Sequence, residues 1–219
     1  MSNRLIAIGD IHGCSKALDA LLDAVAPGPE DTVVTLGDYI NRGPDSRGVL
    51  DRLIALNRQC RLVPILGNHD QTLLDVYAGR APIYWLFDMG GIATLDSYGT
   101  GRDLHLIPEA HFEFLSGCRN YYETDTHIFL HANYYPDLPM DQQDAMILRW
   151  ESLRGMTPGP HDSGKIVIAG HSSQKSGEVL DLGHLLCIDT YCYGGGWLTA
   201  LEVRSGQTWQ VNPVGHFRS

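Results

Sequence analysis

The sequence predicts an α/β protein in which two β-sheets pack together as a sandwich, with helices on the outside. In the first third of the chain, apolar strands alternate with amphipathic helices, an order typical of parallel strands joined by right-handed crossovers. Later in the chain, most of the predicted elements are strands. The 219 residues, 43% of them hydrophobic, are sufficient for one domain with a large core.

Three short apolar segments in the first third of the chain are each followed by a glycine and then by polar residues. The predicted strands cover residues 5–8, 32–36 and 62–66. Apolar residues recur at helical spacing in the segments between and after these strands, which predicts helices over residues 14–26, 44–56 and 70–78. Pro27, Gly28 and Pro29 end the first helix.

The region 79–102 is rich in glycine and aromatic residues. Its aromatic side chains could form a small cap or insertion over the site, at about residues 79–105, or they could pack against the core. Beyond this region the pattern predicts a short helix over residues 109–116 and then strands over residues 127–130, 165–169, 185–189, 197–203 and 208–211. We therefore expect a single domain over residues 1–219.

Side chains that can bind metal ions stand directly after the predicted strands. In chain order they are Asp10, His12, Asp38, Asn68, His69, His131 and His171. Ligands of open α/β sheets collect at the carboxyl ends of the strands, so we expect these side chains to lie close together. Carboxylate, amide and imidazole groups are suitable ligands for divalent metal ions. Asp38 stands after the second of three neighbouring strands and is the candidate to bridge two cations.

A pair of cations that shares one carboxylate is suited to the hydrolysis of phosphate esters. The cations neutralise the phosphate oxygens, and a hydroxide that bridges them attacks phosphorus directly, without a covalent intermediate. Arg42 follows Asp38 by four residues, and its planar guanidinium can make a two-pronged contact with phosphate oxygens.

Composition limits the classes of partner. The formal net charge of −10 argues against nucleic acid and against an anionic membrane, but metal ions can supply the positive charge for a small phosphorylated ligand. We recognise neither a signal peptide nor a long apolar run, and we expect a soluble, cytoplasmic protein. The five cysteines contain no C-x-x-C pair, so we expect reduced thiols. No feature of the sequence indicates an oligomeric state.

Five motifs occur in an order that resembles a known family. They are Gly9-Asp10-Ile11-His12-Gly13, Gly37-Asp38 with Arg42-Gly43, Gly67-Asn68-His69-Asp70, His131, and Gly170-His171. Together they look like the calcineurin-like metallophosphoesterases, and within that family the chain is most similar to the bacterial serine/threonine protein phosphatases of the phosphoprotein phosphatase group. The resemblance covers nearly the whole chain. It implies a β-sandwich of two mixed sheets flanked by helices, with the site at the carboxyl ends of the strands.

The resemblance also implies a role for each motif residue. Two divalent cations, Mn²⁺ in the first place with iron or zinc as alternatives, would be held by Asp10 and His12 on one side, by Asn68, His131 and His171 on the other, and by Asp38 between them. His69 would be the general acid that protonates the leaving oxygen. Arg42 and Asn68 would contact the substrate, together with one more arginine, for which Arg149 and Arg154 both qualify.

The activity that this resemblance implies is hydrolysis of phosphate monoesters, above all phosphoserine and phosphothreonine, so the partner would be a phosphoprotein or a phosphorylated small molecule. Asn41 departs from the pattern, because the protein phosphatases usually carry at this position an Asp that orients the general-acid His. Tyr191 also departs, since it stands in place of a Gly. The segment around Asn41 resembles the symmetrical diadenosine tetraphosphate hydrolases as well, which makes hydrolysis of dinucleoside polyphosphates the alternative. A weakly active metal- or phosphate-binding regulatory module is a further alternative.

Overall fold

Two five-stranded β-sheets form the centre of the structure, a computed structural model that describes residues 3–219. Residues 1 and 2, with which the expected domain begins, lie outside the described residues. The first sheet has the order β10-β9-β1-β2-β3, and its strands are β1 (Leu5–Ile8), β2 (Thr32–Thr35), β3 (Arg61–Pro64), β9 (Leu198–Glu202) and β10 (Gln207–Val211). The second has the order β4-β5-β6-β8-β7, and its strands are β4 (Tyr121–Glu123), β5 (His127–Leu130), β6 (Ile166–Ala169), β7 (Leu180–Asp181) and β8 (Leu185–Cys187).

Both sheets are mixed, as predicted. Strands β1, β2 and β3 are parallel, and β9 and β10 continue that sheet in antiparallel pairs. In the second sheet β5, β6 and β8 are parallel, and β4 and β7 pair antiparallel at the two edges. The expected α/β sandwich of two mixed sheets is therefore confirmed.

In the described part of the chain, seven α-helices accompany the sheets. They are α1 (Ser15–Val25), α2 (Ser46–Leu56), α3 (Asn68–Tyr77), α4 (Ile83–Asp88), α5 (Ile92–Tyr98), α6 (Glu109–Ser116) and α7 (Ala145–Trp150). Within residues 3–219 none of these helices is long and apolar enough to cross a membrane. The sequence pattern did not predict β4, β7, α4, α5 or α7, all of which are six residues long or shorter except α5, which has seven. Such short segments carry too few periods of apolar residues to be recognised.

Strand β1 shows why the two layers of core form. Side chains alternate between the faces of a strand, so Leu5 and Ala7 join the core between the two sheets, while Ile6 and Ile8 join the core beneath the helices. All four residues are buried, because this sheet is covered on both faces. The strand pattern is therefore a continuous apolar run rather than an alternation of apolar and polar residues.

Helix α3 begins at Asn68, two residues before the predicted start at residue 70. Its early start depends on Asp70, a fully buried residue whose carboxylate accepts backbone N–H groups of Gly67 (3.1 Å), Asp38 (2.8 Å) and Tyr39 (3.1 Å). The first of these contacts caps the helix, and the other two tie the helix to the loop after β2. Asn68 and His69 consequently lie in the first helical turn and not in a loop.

The region 79–105 contains α4 and α5 and is divided between packing and exposure. Leu86, Leu95 and Tyr98 belong to the same buried cluster as the apolar faces of α1 and α2. Tyr84 and Trp85, by contrast, are 57% and 52% exposed. The segment therefore packs against the main body while presenting two large aromatic side chains to solvent.

A charged pair joins the beginning of β1 to the segment before β2. Asp31 is only 5% exposed and accepts the backbone N–H (2.9 Å) and Nε–H (3.1 Å) of Arg4. Burial opposes ionisation of this carboxyl, but the hydrogen bonds from Arg4 and from the N–H of Gly28 outweigh it and lower the pKa of Asp31 to about 2.

We predict that Asp31→Asn lowers the free energy of unfolding by about 1–2 kcal/mol at neutral pH, because Arg4 loses its charged partner. The folded pKa lies below the ordinary carboxyl value, so this stabilisation is complete above pH of about 4 and is lost as the pH falls toward about 2. Urea unfolding of both proteins at several pH values measures the difference. Asp19→Asn, in an exposed pair with Arg52, is the control and should change stability by less than about 0.5 kcal/mol. A difference between wild type and Asp31→Asn that stays constant down to pH 3 would contradict the prediction.

Candidate active site

The carboxyl ends of β1, β2 and β3 in one sheet and of β5 and β6 in the other lead to a common cluster of polar side chains. The residues that the sequence singled out stand just after these strands, as Asp10 and His12, Asp38, Asn68 and His69, His131, and His171. Of these, His12, Asp38 and His171 have positive φ angles of 46°, 53° and 62°. Left-handed backbone at three residues of one cluster is strain that the surrounding structure must hold in place.

Glycines allow the loops of this cluster to approach one another closely. A Cβ atom on Gly37, which has φ of 98°, would lie 2.6 Å from the backbone nitrogen of Gly67. A Cβ atom on Gly67 would in turn overlap the carboxylate of Asp38. The glycines of the Gly37-Asp38 and Gly67-Asn68-His69-Asp70 motifs are thus required by contact between the loops after β2 and β3.

Asp38 is the shared member of two groups that could hold a metal ion. In the first group, ligand atoms of His12, Asp38 and His69 all lie within 4.8 Å of one another, and in the second the same holds for Asp38, His131 and His171. His12 Nε2 lies 3.4 Å from one carboxylate oxygen of Asp38, and His131 Nε2 lies 3.5 Å from the other. The two oxygens of one carboxylate therefore face two separate groups.

Asn68 and Asp10 complete the cluster in different ways. Asn68 Oδ1 lies 3.0 Å from His131 Nε2 and 3.1 Å from His171 Nδ1, inside the second group. Asp10 belongs to neither group among the described residues. Its carboxylate instead accepts the backbone N–H of His171, at 3.0 and 3.1 Å.

Hydrogen bonds to backbone carbonyls set the tautomers of three histidines. Nδ1–H of His12 donates to Ile40 O (2.9 Å), Nδ1–H of His131 donates to Leu36 O (2.7 Å), and Nε2–H of His171 donates to Trp150 O (3.1 Å). The remaining nitrogen of each ring is an acceptor, and each faces an oxygen of Asp38 or Asn68 that is also an acceptor. Acceptors that face one another repel unless a cation lies between them, so these residues fit divalent metal ions.

Burial shifts the pKa values of the same groups. It lowers the pKa of His12 to about 3, of His131 to about 4 and of His171 to about 3, so these rings are neutral and free to act as ligands at physiological pH. Burial also raises the pKa of Asp38 to about 8 and the pKa of Asp10 well above its ordinary value. A nearby cation reverses that effect, because it stabilises the ionised carboxylates.

His69 lies beside these groups and is held by Asn41. The side-chain amide nitrogen of Asn41 donates to His69 Nδ1 (3.0 Å), which leaves the ring proton on Nε2. Thr94 fixes the orientation of this amide: its hydroxyl donates to Asn41 Oδ1 (2.8 Å) and accepts the backbone N–H of Asn41 (2.8 Å). Burial, followed by the charges of His12 and Arg42, lowers the pKa of His69, so its ring is neutral near pH 7.

Asp45 and Asp70 are near Asn41 in the sequence, but neither carboxylate contacts His69 in place of Asn41. Asp45 caps α2 by accepting the N–H of Gly48 (2.9 Å), and Asp70 is engaged by the backbone contacts described above. The side chain that orients His69 is therefore the amide of Asn41 and not a carboxylate.

Arg42 and His69 present donors to the same point. Arg42 Nη2 lies 3.2 Å from His69 Nε2, and both atoms carry hydrogen in this arrangement. Two donors that meet in this way require an acceptor between them, and an anionic oxygen of a phosphate satisfies both.

The two arginines that the sequence left open have different neighbours. Arg149, at the end of α7, donates to Gln71 (2.8 Å) and to Asn120, while Arg154 donates to the carbonyl of Ser173. Among the described residues, the buried Nε of Arg149 has no hydrogen-bond partner. Arg149 therefore has unused donor capacity beside α3.

Sequence reasoning missed two residues that contact the predicted site. One is Thr94, whose role depends on a side-chain contact with Asn41 across 53 positions of the chain. The other is Tyr193, whose ring lies under Arg42. Neither has a local signal in the sequence, because both act through contacts with residues that are distant along the chain.

Comparison with known proteins identifies the class to which this fold and site belong. The family model described as calcineurin-like phosphoesterase matches residues 3–194. The chain belongs to this family, whose members are dinuclear metal-dependent hydrolases.

One curated relative is the symmetrical bis(5'-nucleosyl)-tetraphosphatase of Janthinobacterium sp. (strain Marseille), which is 35% identical over 150 residues, or 67% of this chain and 50% of that protein. The alignments with the curated relatives span between about a quarter and half of their own length. A solved structure reported as that of a candidate diadenosine tetraphosphatase has a TM-score of 0.72 and 25% identity, and the match covers 96% of this chain and 94% of that one.

A protein serine/threonine phosphatase from Saccharomyces cerevisiae also has this fold. Its TM-score is 0.64 at 16% identity, over 94% of this chain and 76% of that one. At this level the similarity shows the fold alone. The expected protein phosphatase type is therefore not confirmed, while the wider metallophosphoesterase family is.

We predict that Asp38→Asn removes both bound cations, because both groups of ligands share this carboxylate, whereas His12→Asn removes only one. The measurement is the metal content per chain after loading with Mn²⁺ and removal of free ions. Asp23→Asn, an exposed residue of α1, is the control and should bind as the wild type does. Two cations retained by Asp38→Asn would contradict the shared role of Asp38.

Proposed function

We propose that this protein is a metal-dependent hydrolase of dinucleoside polyphosphates such as diadenosine tetraphosphate. Hydrolysis of a phosphate compound is supported by the arrangement around Asp38. The acceptor atoms that converge there fit cations, and the donors of Arg42 and His69 converge where a phosphate oxygen fits. The names of its relatives support the choice of substrate class.

The residues proposed to hold two divalent cations are Asp10, His12, Asp38, Asn68, His131 and His171, while His69, which lies beside the first group, keeps its proton on Nε2 and is not proposed as a ligand. Manganese is the proposed ion, with iron and zinc as alternatives. When bound, such ions withdraw charge from phosphate oxygens and make a nucleophile of water available near neutral pH.

The protein's own side chains bind and orient the substrate. Arg42 offers its guanidinium fork to the non-bridging oxygens, and Arg149 offers a second cationic group whose Nε is not otherwise used. His69 carries its proton on Nε2, the nitrogen that faces Arg42, and Asn41 keeps the ring in that tautomer. We therefore propose that His69 donates a hydrogen bond to a departing oxygen, or a proton when both of its ring nitrogens are protonated.

The contact between Asn41 and His69 favours an anhydride over a phosphoprotein. Without a carboxylate partner, the imidazolium form of His69 is less stable, so His69 is seldom protonated on both nitrogens near pH 7. A serine alkoxide leaves slowly unless it is protonated, whereas a nucleoside diphosphate departs readily as an anion. An amide at position 41 should therefore slow the cleavage of a dinucleoside polyphosphate only slightly, but it should slow the cleavage of phosphoserine strongly.

We predict that the Mn²⁺-loaded protein hydrolyses diadenosine tetraphosphate with a kcat/KM at least about tenfold above that for a phosphoserine peptide. Product analysis by chromatography, with p-nitrophenyl phosphate as a general substrate, provides the rates. Arg42→Lys, which keeps the charge but loses the fork, should lose activity on every substrate with unchanged metal content. Faster hydrolysis of the peptide would favour the protein phosphatase alternative, and no turnover of any substrate would favour a regulatory module.

We also predict that Asn41→Asp raises kcat for the phosphoserine peptide by several-fold and changes kcat for diadenosine tetraphosphate by less than about twofold, because only the poorer leaving group needs the imidazolium form of His69, which a carboxylate stabilises. Rates on both substrates at neutral pH, with metal content checked, provide the comparison. Asn57→Asp, the same change at an exposed residue after α2, is the control. Equal changes for the two substrates would show that position 41 does not act through proton donation.

A further inference from the structure

Arg42 makes its closest side-chain contacts with a tyrosine that lies far away in the sequence. Tyr193 stands in a short 3-10 turn, Cys192–Gly194, between β8 and β9. The guanidinium carbon of Arg42 lies 4.5 Å from the centroid of the Tyr193 ring, and Arg42 Nη1 donates to the phenolic oxygen. The same side chain therefore supports the guanidinium through its ring and through its hydroxyl.

The Tyr193 ring is itself fixed from two other sides. The ring of His12 meets it edge-on at 4.7 Å between centroids, and the ring of Tyr191 meets it edge-on at 4.8 Å. Tyr191 adopts a left-handed conformation with φ of 65°, and its backbone N–H donates to Asp189 (3.0 Å). A side chain on Gly194 would overlap the ring of Tyr191, so the shape of this turn is determined by its own residues.

Without Tyr193, few contacts would hold the Arg42 side chain in position. Its backbone N–H donates to Gly90 O (3.1 Å), which fixes the main chain but not the guanidinium. Among residues 3–219, the other polar contact of the Arg42 side chain, with His69 Nε2, brings two donors together and must open when a phosphate oxygen enters. Arg42 is also exposed, so no surrounding core restricts its rotamers.

We propose that Tyr193 is a positioning residue that holds the guanidinium of Arg42 ready to bind phosphate. The inference rests on the proposed phosphate-binding role of Arg42. Holding a long side chain in its bound conformation reduces the entropy that is lost when the ligand binds, so Tyr193 strengthens phosphate binding without touching the reacting atoms. It contributes in two separable parts, the hydrogen bond of its hydroxyl and the cation–π contact of its ring.

The test uses the Mn²⁺-loaded full chain, with p-nitrophenyl phosphate as substrate and orthophosphate as competitive inhibitor. We expect Tyr193→Phe, which keeps the ring, to raise the KM and the inhibition constant of orthophosphate by about threefold. Tyr193→Leu, which removes both contacts, should raise them by about thirtyfold. Metal content should match the wild type in both variants. Tyr135→Phe, at an exposed tyrosine on another loop, is the matched control and should leave both constants unchanged.

A double-mutant cycle with Arg42→Ala shows whether Tyr193 acts through Arg42. If it does, Tyr193→Leu changes the orthophosphate constant by less than about twofold once Arg42 has been removed. Full multiplication of the two effects would overturn the inference, and so would an unchanged constant in Tyr193→Phe and Tyr193→Leu alike. If Tyr193→Leu does not fold, Tyr193→Phe alone, with and without Arg42→Ala, decides the matter.

The same experiment separates this inference from the proposed function. If Arg42→Ala leaves phosphate binding unchanged, then the proposed role of Arg42 fails, and this inference fails with it. If Arg42→Ala weakens binding and the Tyr193 variants do not, only the inference about Tyr193 fails. Because p-nitrophenyl phosphate and orthophosphate contain no nucleotide, neither result depends on whether the protein hydrolyses diadenosine tetraphosphate.

Discussion

The buried carboxylate of Asp38 faces nitrogens of His12 and His131 that carry no proton, because the single proton of each ring is on the other nitrogen, from which it is donated to a backbone carbonyl. This arrangement of acceptors is unfavourable in isolation and favourable around cations, and the rest of the structure maintains it. The glycines let the loops approach, left-handed residues turn the side chains inward, and Asp70 fastens the loop after β2 to helix α3. A few ångströms away the polarity reverses, and the donors of Arg42 and His69 converge where a phosphate oxygen fits. Together the two regions form a site for positive ions beside a site for a negatively charged group.

The sequence predicted the parts of this arrangement that depend on local pattern. Apolar strands followed by a glycine and then by Asp, Asn or His indicate strand ends, and strand ends of parallel sheets meet at one edge, so the clustering of Asp38 with His12, His131 and His171 could be anticipated. The contact between Asn41 and His69 is not visible in the local pattern, because it depends on the loop after β2 meeting the first turn of α3, and only the family resemblance indicated it. Tyr193 was beyond prediction for the same reason, since it reaches Arg42 across 151 positions of the chain. Helix α3 began earlier than its apolar spacing indicated because a buried cap, rather than periodicity, sets its start.

Under the proposed function, the distinction between substrates depends on one hydrogen bond, from Asn41 to His69, and not on the fold. Structures of this shape include both a protein serine/threonine phosphatase and a candidate diadenosine tetraphosphatase, so the sandwich itself does not discriminate between them. An amide and a carboxylate at position 41 are nearly identical in size, but they stabilise different protonation states of the same imidazole. The proposed preference of this protein for an anhydride would therefore depend on a single oxygen-for-nitrogen exchange at a buried residue, with little change in the shape of the site.

The proposed metal ligands come from both sheets: Asp10, Asp38 and Asn68 follow strands of the first, while His131 and His171 follow strands of the second. Any cation that binds between them also cross-links the two layers of the sandwich. Such a link is absent from the unfolded chain, so each bound ion adds to the free energy of unfolding by an amount that grows with the logarithm of the free ion concentration. Metal binding at these residues would therefore tie the lifetime of the fold to the supply of divalent ions. When these ions are scarce, the two sheets would lose the cross-link, and the chain would become more accessible to proteases.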